Sequence, residues 1–214
     1  MHGDPRDVWT PPKLLGKEFE ELILKRGDSL KKDGVMSLKR NGVKSHRLPD
    51  GTVITQKSFP DFTGTIAPHG RRMEIEAKAC SQASFPLTSK GKSLHSHQVD
   101  YLLEKAEFGA VCYLAVHFNL KLGKAVTHDE FTVAIPVHPD HALWRGVASG
   151  AVKTLRRDHA REIGILIPWG FHNTRMQTLT PDIRVLIPEK LEHVFPFQLS
   201  STTRDGTNPS LLRP

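Results

Sequence analysis

The stretch from Pro60 to Lys78 constrains this chain more than any other. Asp61 opens an extended segment, Pro68-His69-Gly70 reads as a tight turn, and Arg71 to Ala79 alternates as the return strand of a hairpin. Side chains two apart on a strand lie side by side, so Glu74, Glu76 and Lys78 share one face. Ile75, Ala77 and Ala79 turn the other way, into packing. Two carboxylates and an ammonium around one space carry a specific chemistry. A hard cation held by Asp61 and Glu76 polarises a phosphoryl oxygen and lowers the pKa of a bound water, while Lys78 orients the nucleophile or neutralises developing charge. By itself Glu-x-Lys on a strand is more often a solvated face. The company of Asp61, an acidic helix upstream and a polar helix downstream favours phosphodiester hydrolysis.

The upstream helix is expected from Lys13 to about Lys32, where Leu15, Phe19, Leu22, Ile23 and Leu30 recur at helical steps before Gly34. Glu18, Glu20 and Glu21 crowd its first half, and a solvated face near the positive end of the helix dipole is their simplest reading. Glu20, flanked by Phe19 and Ile23, sits at the edge of the apolar stripe and can reach a metal site through a water. Short alternations follow at Val35 to Leu38 and Thr52 to Gln56. Around them Lys31, Lys32, Lys39, Arg40, Lys44, Arg47 and Lys57 oppose only Asp33 and Asp50, as in a basic hairpin-like projection or a solvated loop. Past the hairpin come Ser84-Phe85-Pro86-Leu87 and the basic Lys90-Gly91-Lys92. A helix is expected from near Ser93, with Leu94, Gln98, Tyr101, Leu102 and Ala106 on or near one face and Gly109 at its end. Ala110 to Phe118 is apolar throughout, as a buried central strand should be. A turn over Asn119 to Lys124, a strand over Glu130 to Pro136, a helix over Ala142 to Arg157 and a short strand over Ile163 to Trp169 complete the expected order, with a further element from Thr180-Pro181-Asp182.

The whole chain bounds the partners. With 214 residues, one domain over 13–198 with flexible ends at 1–12 and 199–214 is expected. A formal charge of +7 favours polyanions, nucleic acid first and anionic membrane second. No apolar run reaches the roughly 20 residues of a bilayer span, and Met1 to Asp7 lacks a signal-peptide core. A cytoplasmic location without membrane contact is expected. Cys80 and Cys112 are too few for a disulfide framework. His95-Ser96-His97 invites a zinc site, but no partner pair stands at structural-zinc spacing.

Helix with an acid, hairpin with Asp61 and Glu76-Ala77-Lys78, helix, strand: this order resembles the PD-(D/E)XK nuclease superfamily, and several stretches resemble its RecU-type Holliday junction resolvases. The likeness runs from about Gly16 to Phe118. Gly16-Lys17-Glu18-Phe19-Glu20-Glu21 is similar to the family's first helix, Asp61-Phe62-Thr63-Gly64 to its Asp-Tyr-x-Gly, and Ile75-Glu76-Ala77-Lys78 to its Phe-Glu-Ala-Lys. Ser84-Phe85-Pro86-Leu87 followed by His95-Ser96-His97-Gln98 is the most family-specific piece. The resemblance implies an α/β fold with a restriction-endonuclease-like core, a mixed β-sheet flanked by α-helices. It implies Asp61, Glu76 and the Ala77 carbonyl as metal ligands, Lys78 as catalytic lysine, Glu20 as an outer-shell or second-metal carboxylate, and Gln98 positioning water or phosphate. Mg2+ would be the cofactor, with Mn2+ able to substitute. Branched DNA, a four-way junction, would be the substrate of a homodimer, contacted through Lys39, Arg40, Lys44, Arg47, Lys57, Lys90 and Lys92. The family's stalk between the first two strands is represented by a shorter basic stretch, 39–57, and the match fades after Asn119. The alternatives are a restriction-type or general endonuclease on the same fold and a non-catalytic basic DNA-binding protein.

Overall fold

The computed structural model describes residues 16–42, 45–55, 60–88, 94–119, 121–122, 127–128, 130–171 and 179–188. The expected flexible ends lie outside these residues, as do Lys44, Lys57, Lys90 and Lys92. In chain order the elements are α1 (Gly16–Lys32), β1 (Met36–Arg40), β2 (Ser45–Arg47), β3 (Val53–Thr55), β4 (Phe62–Ile66), β5 (Arg71–Cys80) and β6 (Ser84–Pro86). Then follow α2 (Ser96–Glu107), β7 (Val111–Phe118), β8 (Lys121–Leu122), β9 (Thr127–His128), β10 (Phe131–Pro136), α3 (Ala142–Ala148) and β11 (Thr154–Arg156). The order closes with α4 (Arg157–Ile163), β12 (Ile165–Ile167), β13 (Trp169–Phe171), β14 (Leu179–Pro181) and a 3-10 turn over Ile183–Leu186.

Six strands make the central sheet, in the order β1-β4-β5-β7-β10-β12. Every neighbouring pair is antiparallel except β5 and β7, which run parallel because α2 carries the chain back between them. The sheet is therefore mixed and flanked by helices, as expected. β7 is buried at all eight positions, the signature of a strand covered on both faces. Its odd residues Val111, Tyr113 and Ala115 join α1 in one core with Phe19, Ile23 and Leu30. Its even residues Cys112, Leu114 and Val116 join α2, α3 and α4 in a second, with Val99, Leu102, Trp144 and Ala160. α1 lies close against β1 because Gly27 faces Leu38, where an added Cβ would come within 2.8 Å of the leucine Cβ. Gly34 ends the turn after α1 in the left-handed region, φ 69°, which glycine tolerates best.

The C-terminal half departs from expectation. α3 stops at Ala148, Gly150 takes φ 76°, and the chain returns extended as β11 to pair with β6. The return is tight: Val152 packs where a Cβ on Gly146 would stand, 2.6 Å from its Cγ2. Leu155, fully buried, anchors the strand. The two glycines therefore mark a reversal, and a separate short α4 follows. The expected turn over Asn119 to Lys124 contains a two-residue strand, β8, paired with β9. α2 begins at Ser96 rather than near Ser93, with His95 as its N-cap and Leu94 already buried beneath it.

Candidate active site

The site forms where β4 is shorter than its neighbour. The antiparallel ladder between β4 and β5 ends at Phe62 opposite Ile75, while β5 runs on to Cys80 beside β7. Beyond Ile75 the β4-side edge of β5 is thus open, and the Asp61 carboxylate closes it: the Ala77 N–H donates to Asp61 Oδ2 at 2.8 Å. Along an extended strand the N–H and C=O of one residue point to the same edge. The Ala77 carbonyl therefore lies on this open edge with Asp61.

Strand alternation puts Glu74 and Glu76 on the α2 side of the sheet, both with no solvent exposure. Lys78 bonds Glu76 and lies 3.8 Å from Asp61 Oδ2. Gln98, in the first turn of α2, accepts from the His95 N–H at 3.1 Å, which fixes the orientation of its amide. Its Nε2 then donates to Glu76 Oε1 at 2.6 Å. Oε1 is thus claimed twice, whereas the buried Oε2 of Glu76 has no hydrogen-bond partner. Burial pushes the Glu76 pKa up, Lys78 pulls it down and Asp61 raises it again, and it stands above the usual carboxylate range. For Lys78 burial acts downward, but the charges of Glu76, Asp61 and Glu20 outweigh it and the ammonium is stabilised.

Glu20 comes from α1, on the other side of the sheet, and is half-buried at the same corner. It is ion-paired with Arg40 at the end of β1. Burial and the neighbouring Asp61 raise the Glu20 pKa, while Arg40 and Lys78 oppose them. The fold therefore gathers Glu20, Asp61, Glu76, Ala77, Lys78 and Gln98 from α1, β4, β5 and α2. Among the described residues no three His, Cys, Asp or Glu side chains stand close enough to form a ready metal cluster. Asp61 and Glu76 make a pair, and Glu20 is held away by Arg40. The basic residues separate: Arg40 belongs to this corner, Lys39 is exposed on the opposite face of β1, and Arg47 is exposed on the β2–β3 hairpin.

Sequence reasoning missed a network beside the site. Asn41 donates from its backbone to the Asp61 carbonyl at 2.8 Å, and from Nδ2 to the Pro60 carbonyl and Thr63 Oγ1, both at 2.7 Å. Thr63 donates to Glu74 Oε2 at 2.7 Å, and Arg72 bonds Glu74 Oε1 at 2.5 Å and the Tyr101 hydroxyl at 3.2 Å. Asn41 thereby pins the turn that presents Asp61, and Glu74 is a buried strut rather than a third ligand. The hairpin register that sets Thr63 opposite Glu74 was the available signal.

The family model for Recombination protein U matches residues 35–168. The chain is 25% identical over 118 residues to the Holliday junction resolvase RecU of Bacillus cereus strain B4264, covering 55% of this chain and 52% of that protein. It is 34% identical over 64 residues to the Holliday junction resolvase RecU of Shouchella clausii, covering 29% and 28% respectively. It spans about half the length of the first of these curated relatives. Among solved structures it is similar to Archaeoglobus fulgidus Hjc, a Holliday junction resolvase, with TM-score 0.37, 20% identity, and coverage of 71% of this chain and 95% of that one.

Proposed function

The chain belongs to the Recombination protein U family, and from that premise we propose that it is a divalent-metal-dependent endonuclease that resolves four-way DNA junctions by paired nicks. The observation that carries the reading is the wholly buried Glu76 carboxylate, which shares the Lys78 ammonium with Asp61 and whose Oε2 takes no part in the bonds from Lys78 and Gln98. A structural ion-pair network saturates its buried oxygens, because leaving one unmade costs about 1–3 kcal/mol. An oxygen kept free at the end of an open strand edge is what a cation-binding site requires.

A hard divalent cation, Mg2+ or Mn2+, fits oxygen donors of this kind. Asp61, Glu76 and the Ala77 carbonyl would hold it, with Glu20 beyond, and when bound it would supply Lewis acidity and a more acidic water. The protein's own groups do the rest. Gln98 fixes the Glu76 carboxylate, Asn41 fixes the turn carrying Asp61, and Lys78 places a positive charge where a phosphorane-like transition state gathers negative charge. One site cuts one strand, so resolving a junction needs two chains on a twofold axis, the commonest closed assembly.

The test is a junction labelled in each strand by turns, beside a linear duplex of the same sequence. We expect paired symmetric nicks with magnesium, none with EDTA, and little cutting of duplex. In a mixed dimer with one Asp61→Asn subunit, single nicks are expected. Equal cutting of duplex and junction would leave a general nuclease; cleavage that survives EDTA would remove the metal site.

A further inference from the structure

On the α2 side of the sheet, β1 and β4 extend beyond the helix and leave a face of small hydroxyls and cations. Ser37, Lys39 and Thr65 alternate outward there, opposite the buried Met36, Leu38 and Ile66. They line a depression of about 460 Å³ with Arg72 and Tyr101 as its far wall, and Asn41 and Thr63 of the Asp61 turn at its near end. A second depression, about 400 Å³, shares Arg72 and is lined by Arg71, Lys105 and Phe108. Among the described residues no carboxylate lines either one. Glu74 beneath Arg72 and Glu104 beside Lys105 hold those two cations in place, at 2.5 and 2.7 Å.

Phe108 is the outlier on this surface, 82% exposed at the C-terminus of α2. A single exposed apolar side chain is ordinary, but this ring stands in a depression whose charged walls are Arg71, Arg72 and Lys105. The turn that carries it is tied down by hydrogen bonds. Gly109 takes φ 85°, its carbonyl accepts from Arg71 Nε at 2.9 Å, and the Phe108 N–H closes on Glu104 O at 3.2 Å. Next to it the Lys105 ammonium lies 5.0 Å over the Tyr101 ring. Cations that track a backbone, interleaved with an aromatic face held open to solvent, are the elements of single-strand binding.

We propose that the two depressions form a track for one strand of the substrate, leading from the carboxylate site to Phe108, whose ring stacks on an unpaired base. The occupant is a phosphodiester backbone with an unstacked base, and the inference rests on the nucleic-acid reading above. From Glu76 to Arg71 along β5 is about 17 Å at roughly 3.4 Å per residue. That spans about five nucleotides at the duplex spacing of 3.4 Å per strand, fewer if the strand is stretched. A base freed from the stack when the branch point opens, a few nucleotides from the cut, would meet Phe108.

The experiment uses the full chain in EDTA, so that binding is read without cleavage. One probe is a duplex with a single-stranded extension carrying 2-aminopurine at each position in turn, and the other is a blunt duplex. For Phe108→Ala we expect affinity for the extended probe to fall on the order of tenfold, within the range of base–aromatic stacking, with less than a twofold change for the blunt probe. Phe108→Trp should retain tight binding. Quenching of 2-aminopurine at a single position, lost in Phe108→Ala, is the signature of stacking. Equal affinities for parent and Phe108→Ala, in a protein that still cuts junctions, would overturn the track alone. A change of oligomeric state in Phe108→Ala by sedimentation would overturn it in favour of a subunit contact. A parent that binds neither probe would instead sink the nucleic-acid reading itself.

Discussion

Glu76 and Lys78 do different work although they touch. Glu76 is wholly enclosed, with one oxygen held by Lys78 and Gln98 and the other left unbonded. Lys78 is partly open, with 22% of its side chain exposed, and faces both acids. If the ammonium served only to neutralise buried carboxylates, removing it would unfold the corner, because an uncompensated buried charge costs several kcal/mol. If it serves the transition state, its loss falls on rate. We expect Lys78→Ala to slow single-turnover cleavage by about 3 kcal/mol, roughly a hundredfold, while junction affinity stays near that of the parent. A variant that melts early yet cleaves normally once folded would assign Lys78 to stability.

At the scale of elements, α1 carries Glu20 and is fastened by a segment far along the chain. Arg26, 3% exposed, donates to Asp182 Oδ1 at 3.0 Å, and Asp182 is gripped from its other side by Arg184 at 2.6 and 2.9 Å. The Tyr113 hydroxyl donates to the Leu186 carbonyl at 2.9 Å, tying the same 3-10 turn to β7. Asp182→Ala should cost about 3 kcal/mol, since Arg26 is left buried without its carboxylate. Burial alone would raise the Asp182 pKa, but the bonds from Arg184 and Arg26 hold it well below the usual carboxylate range. A depressed carboxyl stabilises the fold fully above its ordinary value of 3.8 and loses that contribution as pH falls below it. Urea titrations of parent and variant should therefore differ by a steady amount down to about pH 4 and draw together only progressively as the pH is lowered further; a difference that stays constant into strong acid would count against the ion pair.

Across the whole molecule, His117 joins parts that are remote in sequence. It sits on β7 between Phe19 of α1 and Trp169 of β13, each ring centroid 5.5 Å away, and shares a 2.9 Å hydrogen bond with Thr132. Burial lowers its pKa to about 4 from the ordinary 6.5, so the folded state keeps it neutral while the unfolded chain protonates. Its contribution is complete above pH 6.5 and declines as pH falls toward 4, by at most about 3 kcal/mol. Replacing it by glutamine should flatten the fall in unfolding free energy between pH 7 and pH 4; unchanged slopes would show that His117 does not titrate with folding. The basic surface makes a separate prediction. Since Arg40 is engaged by Glu20, neutralising the exposed Lys39 and Arg47 should reduce the slope of log affinity against log salt by about two. Adding Arg40→Gln should alter cleavage more than that slope.

Much of this site was legible before any fold was known, because strand geometry is local. A period of two places Glu74, Glu76 and Lys78 on one face whatever the strand packs against, and a turn at Pro68-His69-Gly70 returns that face to Asp61. The fully apolar run of β7 likewise announced a strand covered on both sides. The helix expected over Ala142 to Arg157 holds only as far as Ala148, since the burial of Leu155 against β6 outweighs the helical spacing beyond Gly150. Which charge meets which was decided only in three dimensions. Glu74 became a strut because Thr63 and Arg72 reach it first, Arg40 left the expected DNA surface for Glu20, and Arg26 found Asp182 at the far end of the described chain. Periodicity is set by the covalent backbone and can be read along it. Partnership depends on which distant elements pack together and which oxygens they leave enclosed, and only the assembled sheet with α1 and α2 on its two faces fixes that.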